Sequence, residues 1–110
     1  MLTIEKYIEH PYSTLLLQGE VDASNSVSLD EAITELVSSG AQNILIDGSQ
    51  LEYISSAGLG VFMSYLEDFM DKGITMKIFG LSPKVFEVFK ILGLDQLIPI
   101  FPDKASALSK

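Results

Sequence analysis

Two adjacent serines, Ser55 and Ser56, are the side chains best placed for chemistry, because a small-residue run and then a helical apolar pattern follow them. The run consists of Ala57, Gly58, Leu59 and Gly60. A helix that begins here offers unpaired backbone N–H groups and the positive end of its dipole, and both favour an added anion. A serine hydroxyl at this position is therefore suited to carry a phosphate group.

Two other roles compete for these serines. Serine is among the commonest helix N-caps, so Ser56 could serve the helix alone. A serine at a strand-to-helix turn also resembles the nucleophile elbow of hydrolases, but that motif needs a glycine where Ile54 stands. It also needs a histidine base, and the single histidine, His10, lies in a predicted hairpin turn. We therefore assign no catalytic residue and do not expect an enzyme.

Three carboxylates at predicted strand ends, those of Glu20, Asp22 and Asp47, raise the question of a metal site. Such carboxylates more often solvate a loop or cap the next helix, so we expect no metal ion. We expect Asp22 or Ser24 to cap the first helix, and Ser49 to make a hydrogen bond within a loop. The glycine pair in the small-residue run does not complete a dinucleotide fingerprint, so no cofactor is expected.

Composition narrows the classes of partner. The 110 residues carry a net charge of -8, no cysteine, and seven basic residues that are all lysines. Nucleic acid is a poor partner for such a chain, because binding it requires a basic surface. An acidic protein is better matched to a basic protein surface. No apolar run reaches the roughly 20 residues of a membrane span, and Glu5 interrupts any signal peptide, so we expect a cytoplasmic protein.

The elements that must position these residues alternate between strand and helix periods. Predicted strands cover residues 2–9, 13–17, 43–47, 75–79 and 97–101. Predicted helices cover residues 24–39 and 57–71, a segment from Ser82-Pro83 to Gly93, and a last segment that Asp103 caps. Apolar residues that we expect to face the core include Val27, Leu29, Ile33, Leu36, Val37, Phe62, Met63, Met70, Leu92, Ala105 and Leu108. Off this buried stripe, Val61 and Tyr65 are expected to supply apolar contact to a partner.

This alternation predicts one α/β domain over residues 1–110. Crossover connections make most of its four or five strands parallel, the hairpin makes the first strand antiparallel, and about four helices pack on the sheet. Function in such sheets gathers at the carboxyl ends of strands and the amino ends of the helices that follow. Two segments meet that description, one through Asp22 and one from Asp47 to Gly60.

Four motifs in order along the chain resemble the STAS family of anti-sigma-factor antagonists. They are residues 17–22 (LQGEVD), 47–49 (DGS), 53–60 (YISSAGLG) and 93–95 (GLD). The chain departs from the family pattern at Ser55, where aspartate is common, and at Gly48, where a bulky apolar residue is usual. The resemblance implies that Ser56 is the phosphorylated residue, with Ser55 as the alternative acceptor.

The resemblance also implies a two-state mechanism. The unmodified protein would bind an anti-sigma factor with serine-kinase activity, phosphorylation at Ser56 would release it, and a serine phosphatase would restore binding. The expected partner-binding residues are Glu20, Asp22, Ser49, Ser55, Ser56, Ala57, Gly58, Leu59, Gly60 and Val61. We expect a monomer. The alternative is a STAS scaffold or regulatory module of a larger signalling assembly without phospho-switching.

Overall fold

Five strands form one sheet in the order β1-β2-β3-β4-β5 in the computed structural model, which describes residues 1–109. The strands are β1 (Leu2–Glu9), β2 (Tyr12–Val21), β3 (Asn43–Ile54), β4 (Thr75–Phe79) and β5 (Ile100–Phe101). The helices are α1 (Ser26–Ser38), α2 (Ser56–Lys72), α3 (Pro83–Ile91) and α4 (Lys104–Leu108), with a 3-10 turn at Leu94–Gln96. β1 is antiparallel to β2 and the other neighbours are parallel, which confirms the predicted α/β class.

Local signals in the sequence set several helix ends as predicted. The Ser82 hydroxyl accepts a hydrogen bond from the N–H of Val85 at 3.3 Å at the start of α3. Pro83, the first residue of this helix, has no N–H group that would need an acceptor. Asp103 caps α4 by accepting from the N–H of Ser106 at 2.8 Å. Gly73 ends α2 with a φ of 70°, which glycine adopts without strain. Within residues 1–109, no helix combines the length and apolar character that crossing a membrane requires.

The second and third strands are longer than predicted. Gly48 and Ser49 were expected to end β3, but pairing with β2 resumes at Gln18 and Gln50 and continues to Ile54. Two register shifts absorb the interruption. Long-range pairing with β2, which the local sequence does not report, therefore overrides the turn signal. The last strand is shorter than predicted, because Leu94–Gln96 forms a 3-10 turn and pairing begins at Ile100.

Two apolar clusters lie on the two faces of the sheet. On one face, buried residues of α1, α2 and α3 share a core with β2, β3 and β4. The rings of Phe62 in α2 and Phe89 in α3 lie 6.1 Å apart in this core. On the other face, Ala107 of α4 packs with Leu45 and Phe79. The helices α1, α2 and α3 therefore lie on the same face of the sheet, and each exposes its outer side to solvent.

The apolar stripes of the helices are narrower than predicted. Leu29, Ile33 and Leu36 are buried as expected, while Val37 is half-buried. The predicted core residues that are exposed instead are Val27, Met63, Met70, Leu92, Ala105 and Leu108. A period of 3.6 residues locates the centre of a stripe, but the neighbouring elements decide how wide it is. In α4 the buried residue is Ala107 instead of Ala105 and Leu108, so this helix is rotated about its axis relative to the predicted orientation.

Candidate functional site

The amino terminus of α2 is fixed to the carboxyl ends of two strands. The N–H of Ser55, which follows β3 directly, donates to the carbonyl oxygen of Val21 at the end of β2 at 2.9 Å. The Ser55 hydroxyl accepts from the N–H of Gly58 at 3.4 Å, and its carbonyl accepts from Leu59 at 3.0 Å. Ser55 is therefore the N-cap of α2. The cap role that competed for Ser56 belongs to its neighbour.

Ser56 is the first residue of α2, and its side chain is exposed. Helix geometry leaves the N–H groups of Ser56 and Ala57 without an intrahelical acceptor. The hydroxyl is thus accessible to a visiting enzyme and lies beside the positive end of the helix dipole. An added anion at this oxygen would meet unpaired donors rather than apolar core.

The two glycines of α2 have different surroundings. A Cβ atom at Gly58 would lie 2.6 Å from Cγ1 of Val21 and 2.8 Å from Cγ1 of Ile54. The absence of a side chain at Gly58 therefore lets α2 start directly against the ends of β2 and β3. At Gly60 nothing lies within 4 Å of the corresponding position, so packing does not require a glycine there.

The expected partner-binding residues divide into a surface group and a buried group. Ser56 and Gly60 are exposed and Ala57 is half-buried, whereas Leu59 is fully buried and Gly58 is buried. Direct contact with a partner is left to the exposed members. Glu20 and Ser49 are also exposed at neighbouring strand positions.

The expectation that Val61 and Tyr65 lie off the buried stripe is wrong. Both side chains are half-buried and pack against the core. The Tyr65 hydroxyl shares a 2.6 Å hydrogen bond with Thr34 and donates to the carboxylate of Asp30 in α1. Burial, followed by that hydrogen bond to Asp30, raises the pKa of Tyr65, so its hydroxyl stays protonated and joins the two helices.

The loop after β2 is held by its own side chains rather than by a helix cap. Asp22 accepts from the N–H of Ser24 at 2.9 Å and from its hydroxyl at 2.5 Å. Asn25 accepts from the N–H of Asp22 at 2.9 Å and donates to the carbonyl of Glu20 at 3.0 Å. The prediction that Asp22 or Ser24 caps α1 is therefore wrong. Asn25 occupies the N-cap position, and its amide is turned back into the loop.

This loop makes a testable prediction about pH. The Ser24 hydroxyl, and after it the Ser24 N–H, hold the pKa of Asp22 below its ordinary value of 3.8. The bonds require the carboxylate, so their contribution is complete above that ordinary value and is lost as the pH falls through the lowered pKa. In an NMR titration, Ser24→Ala is expected to raise the pH at the midpoint of the Asp22 titration. Ser28→Ala, at an exposed position of α1, is expected to leave this midpoint unchanged. Equal midpoints in the wild type and Ser24→Ala would contradict this account of the loop.

The third carboxylate, Asp47, is engaged within its own strand. Its Oδ1 accepts from the N–H of Ser49 at 2.9 Å, so the bond expected of Ser49 exists in β3 and involves its backbone. Gly48 between them is buried against the Leu81 side chain. Among residues 1–109, no group of three or more histidine, cysteine, aspartate or glutamate side chains could hold a metal ion.

Two exposed residues, Met63 and Glu67, lie on the same face of α2 as Ser56, although the sequence pattern does not assign them to the site. The apolar pattern of the sequence predicts that Met63 lies in the core, and it assigns no role to Glu67. Counting four, three and four residues from Ser56 through Gly60 and Met63 to Glu67 identifies one helical face. The spacing was visible in the sequence, but the exposure of Met63 was not.

Comparison with known proteins agrees with this geometry. The profile of the STAS domain family matches residues 3–107. The anti-sigma-B factor antagonist of Listeria monocytogenes is 30% identical over 86 residues, which is 78% of this chain and 75% of that protein.

Solved structures share the fold at lower identity. An anti-sigma factor antagonist from Mycobacterium paratuberculosis superposes with a TM-score of 0.89 at 23% identity, over 99% of this chain and 92% of the other. The Bacillus cell fate determinant SpoIIAA in its phosphorylated form gives a TM-score of 0.71 at 18% identity, over 99% and 97% of the two chains. The family profile and the Listeria relative together carry the assignment: the chain belongs to the STAS domain family and is of the anti-sigma-factor antagonist type.

Proposed function

We propose that this chain binds an anti-sigma factor with serine-kinase activity while it is unmodified, and releases that partner once Ser56 is phosphorylated. A serine phosphatase then restores binding. The observation that carries the proposal is the exposed hydroxyl of Ser56 at the first position of α2. The relatives named as anti-sigma factor antagonists support the class of partner, and a structural relative, SpoIIAA, exists in a phosphorylated form.

The fold can carry the phosphate without losing stability. Phosphorylation adds about -1.5 to -2 charge, and at a helix N-terminus this charge meets unpaired N–H groups and a favourable dipole. Ser55 already supplies the cap, so modifying Ser56 removes no hydrogen bond that holds α2. The domain therefore keeps its structure in both states.

The partner is affected differently. A dianion at the centre of a docked surface must be desolvated and, where no matching charge awaits it, costs several kilocalories per mole. Each 1.4 kcal/mol changes the dissociation constant about tenfold, so this cost changes occupancy by orders of magnitude. One added group on a rigid scaffold thus switches binding. In this mechanism the partner supplies nucleotide, metal and base, and Ser56 is the acceptor.

Phosphate mapping tests the proposal. The purified protein is incubated with ATP and, in turn, each purified serine-kinase anti-sigma factor from the same genome, and the modified residue is mapped by mass spectrometry. We expect phosphate on Ser56 in the wild type and none in Ser56→Ala. Ser55→Ala is the matched control, because it loses the cap, at a cost of about 1 kcal/mol, but keeps the acceptor.

Two outcomes would contradict different parts of the proposal, the first the acceptor residue and the second the phosphorylation switch. Phosphate on Ser55 would move the acceptor by one residue and leave the mechanism in place. Binding without modification by any kinase would indicate a regulatory module that does not switch by phosphorylation.

A further inference from the structure

Ser56, Gly60, Met63 and Glu67 form an exposed row along one side of α2, which we call the α2 stripe. Met63 is 49% exposed, although the preceding residue, Phe62, is fully buried. Gly60 leaves open space between the Ser56 hydroxyl and Met63, since nothing lies within 4 Å of its Cβ position. The stripe therefore combines an apolar side chain, a gap and the proposed phosphate acceptor.

The charged side chains of the segment that carries the α2 stripe are all acidic. No lysine or arginine occurs between Lys6 and Lys72, although that segment contains β2, α1, β3 and α2 and most of the 15 acidic residues. Glu20 and Glu52 are exposed on the strands that lead to the site, and Glu67 is exposed on α2 itself. Lys6 and Lys72, which bound the segment, are each paired with a carboxylate, those of Glu35 and Asp68. A surface complementary to these carboxylates is basic, with its cations opposite the carboxylates rather than opposite the Ser56 hydroxyl.

We propose that Met63 is the apolar anchor of the partner interface, and that the partner presents a basic protein surface with a recess for this side chain. The inference rests on the proposed function, because it assigns the anti-sigma factor to the α2 stripe. Methionine is unbranched and polarizable, so it adapts to a recess of irregular shape. Anchors of this kind lie near the centre of an interface, where surrounding contacts exclude water.

The negative charge of this segment disfavours two other partners for the exposed apolar face, a second copy of this chain and nucleic acid. A second copy of this chain would present the same acidic surface, and like charges brought together cost free energy. Nucleic acid is repelled for the same reason. An acidic segment with one apolar anchor fits a basic protein.

Two methionines on α2 provide a matched pair for the test. The dissociation constant of the purified protein is measured against the serine-kinase anti-sigma factors of the same genome, without ATP so that no phosphate is transferred. Met63→Ala is expected to weaken binding about tenfold or more. Met70→Ala removes the same atoms from an 81% exposed position on the same face of α2, but two turns further from Ser56, and leaves binding within about twofold. Met63→Leu keeps apolar volume and restores most of the affinity.

The basic character of the partner is tested by charge reversal. Glu67→Lys is expected to slow association with the same anti-sigma factor, and the wild-type association rate falls as salt increases. Glu87→Lys makes the same change on the exposed side of α3, outside the stripe, and leaves the rate nearly unchanged. Unfolding temperatures within about 2 °C of the wild type show that the variants are folded.

The outcomes separate this inference from the proposed function. If the wild type binds none of the anti-sigma factors, both are overturned. If it binds and Met63→Ala and Met70→Ala behave alike, or if binding does not weaken with salt, the anchor or the basic surface is wrong while the function stands. A dimer of this chain that Met63→Ala abolishes would assign the stripe to a second copy and overturn the inference.

Discussion

Ser56→Asp is expected to abolish detectable binding to the anti-sigma factor, a loss of at least about 100-fold, while the unfolding temperature stays nearly unchanged. The carboxylate places a fixed negative charge where the phosphate would be. The switch requires that no basic side chain of the partner lies directly opposite Ser56, so the partner must desolvate this charge without pairing it, whereas solvent reaches it freely in the unbound protein. Isothermal titration calorimetry and thermal unfolding of the same samples measure the two quantities.

Stability should be preserved for a reason that is local to α2. A carboxylate in the first turn interacts favourably with the helix dipole, by about 0.3 to 1 kcal/mol at an exposed position. The cap itself is the hydroxyl of Ser55, which the substitution does not touch. Unfolding of Ser56→Asp would therefore contradict the switch, because it would mean that the serine is needed for the fold.

Two neighbouring substitutions serve as controls. Ser56→Ala should bind the anti-sigma factor but resist release by ATP, since the acceptor oxygen is gone. Ser55→Asp places the same charge one residue earlier, where aspartate is an equally good cap. It should keep most of the affinity. Equal loss in Ser55→Asp and Ser56→Asp would show that any charge at this helix start prevents binding.

The sequence predicted the fold where local signals agree with tertiary structure. Strands 2–9 and 75–79 have the bounds that their patterns indicate, and Ser82 and Asp103 cap the helices that they were expected to cap. The prediction failed where long-range strand pairing determines the length of a strand. Gly48 is a turn signal in isolation, but in the sheet β2 pairs with residues beyond it and Leu81 covers it.

At the site, the sequence identified the segment but not which of its two serines caps α2 and which is exposed. Ser55 and Ser56 are equally suited to a helix start by type. Only the direction of the chain leaving β3, with the Ser55 N–H bound to Val21, makes the first the cap and the second exposed. Met63 could not be placed either, because whether a residue at the margin of an apolar stripe is covered depends on neighbouring helices.

Gly58→Ala and Gly60→Ala make the same change two residues apart in one helix, and they should shift stability in opposite directions. Alanine is better than glycine within a helix by about 0.8 to 1 kcal/mol. At Gly60 nothing opposes this gain, so the free energy of unfolding should rise by up to about 1 kcal/mol. At Gly58 the new methyl group would lie 2.6 and 2.8 Å from methyl and methylene carbons of Val21 and Ile54, which are themselves buried.

Such overpacking costs about 1 to 3 kcal/mol, which offsets or exceeds the helical gain of about 1 kcal/mol, so Gly58→Ala should lose up to about 2 kcal/mol in urea unfolding. The clash can be relieved only by moving the start of α2 away from the ends of β2 and β3, and that movement carries Ser56 with it. Binding of the anti-sigma factor should therefore weaken in Gly58→Ala along with stability. In Gly60→Ala it should weaken despite the gain in stability, because the methyl group fills the gap beside Met63 in the α2 stripe. If Gly60→Ala bound as tightly as the wild type, the partner would not approach α2 at this gap, and the docking surface would have to lie elsewhere.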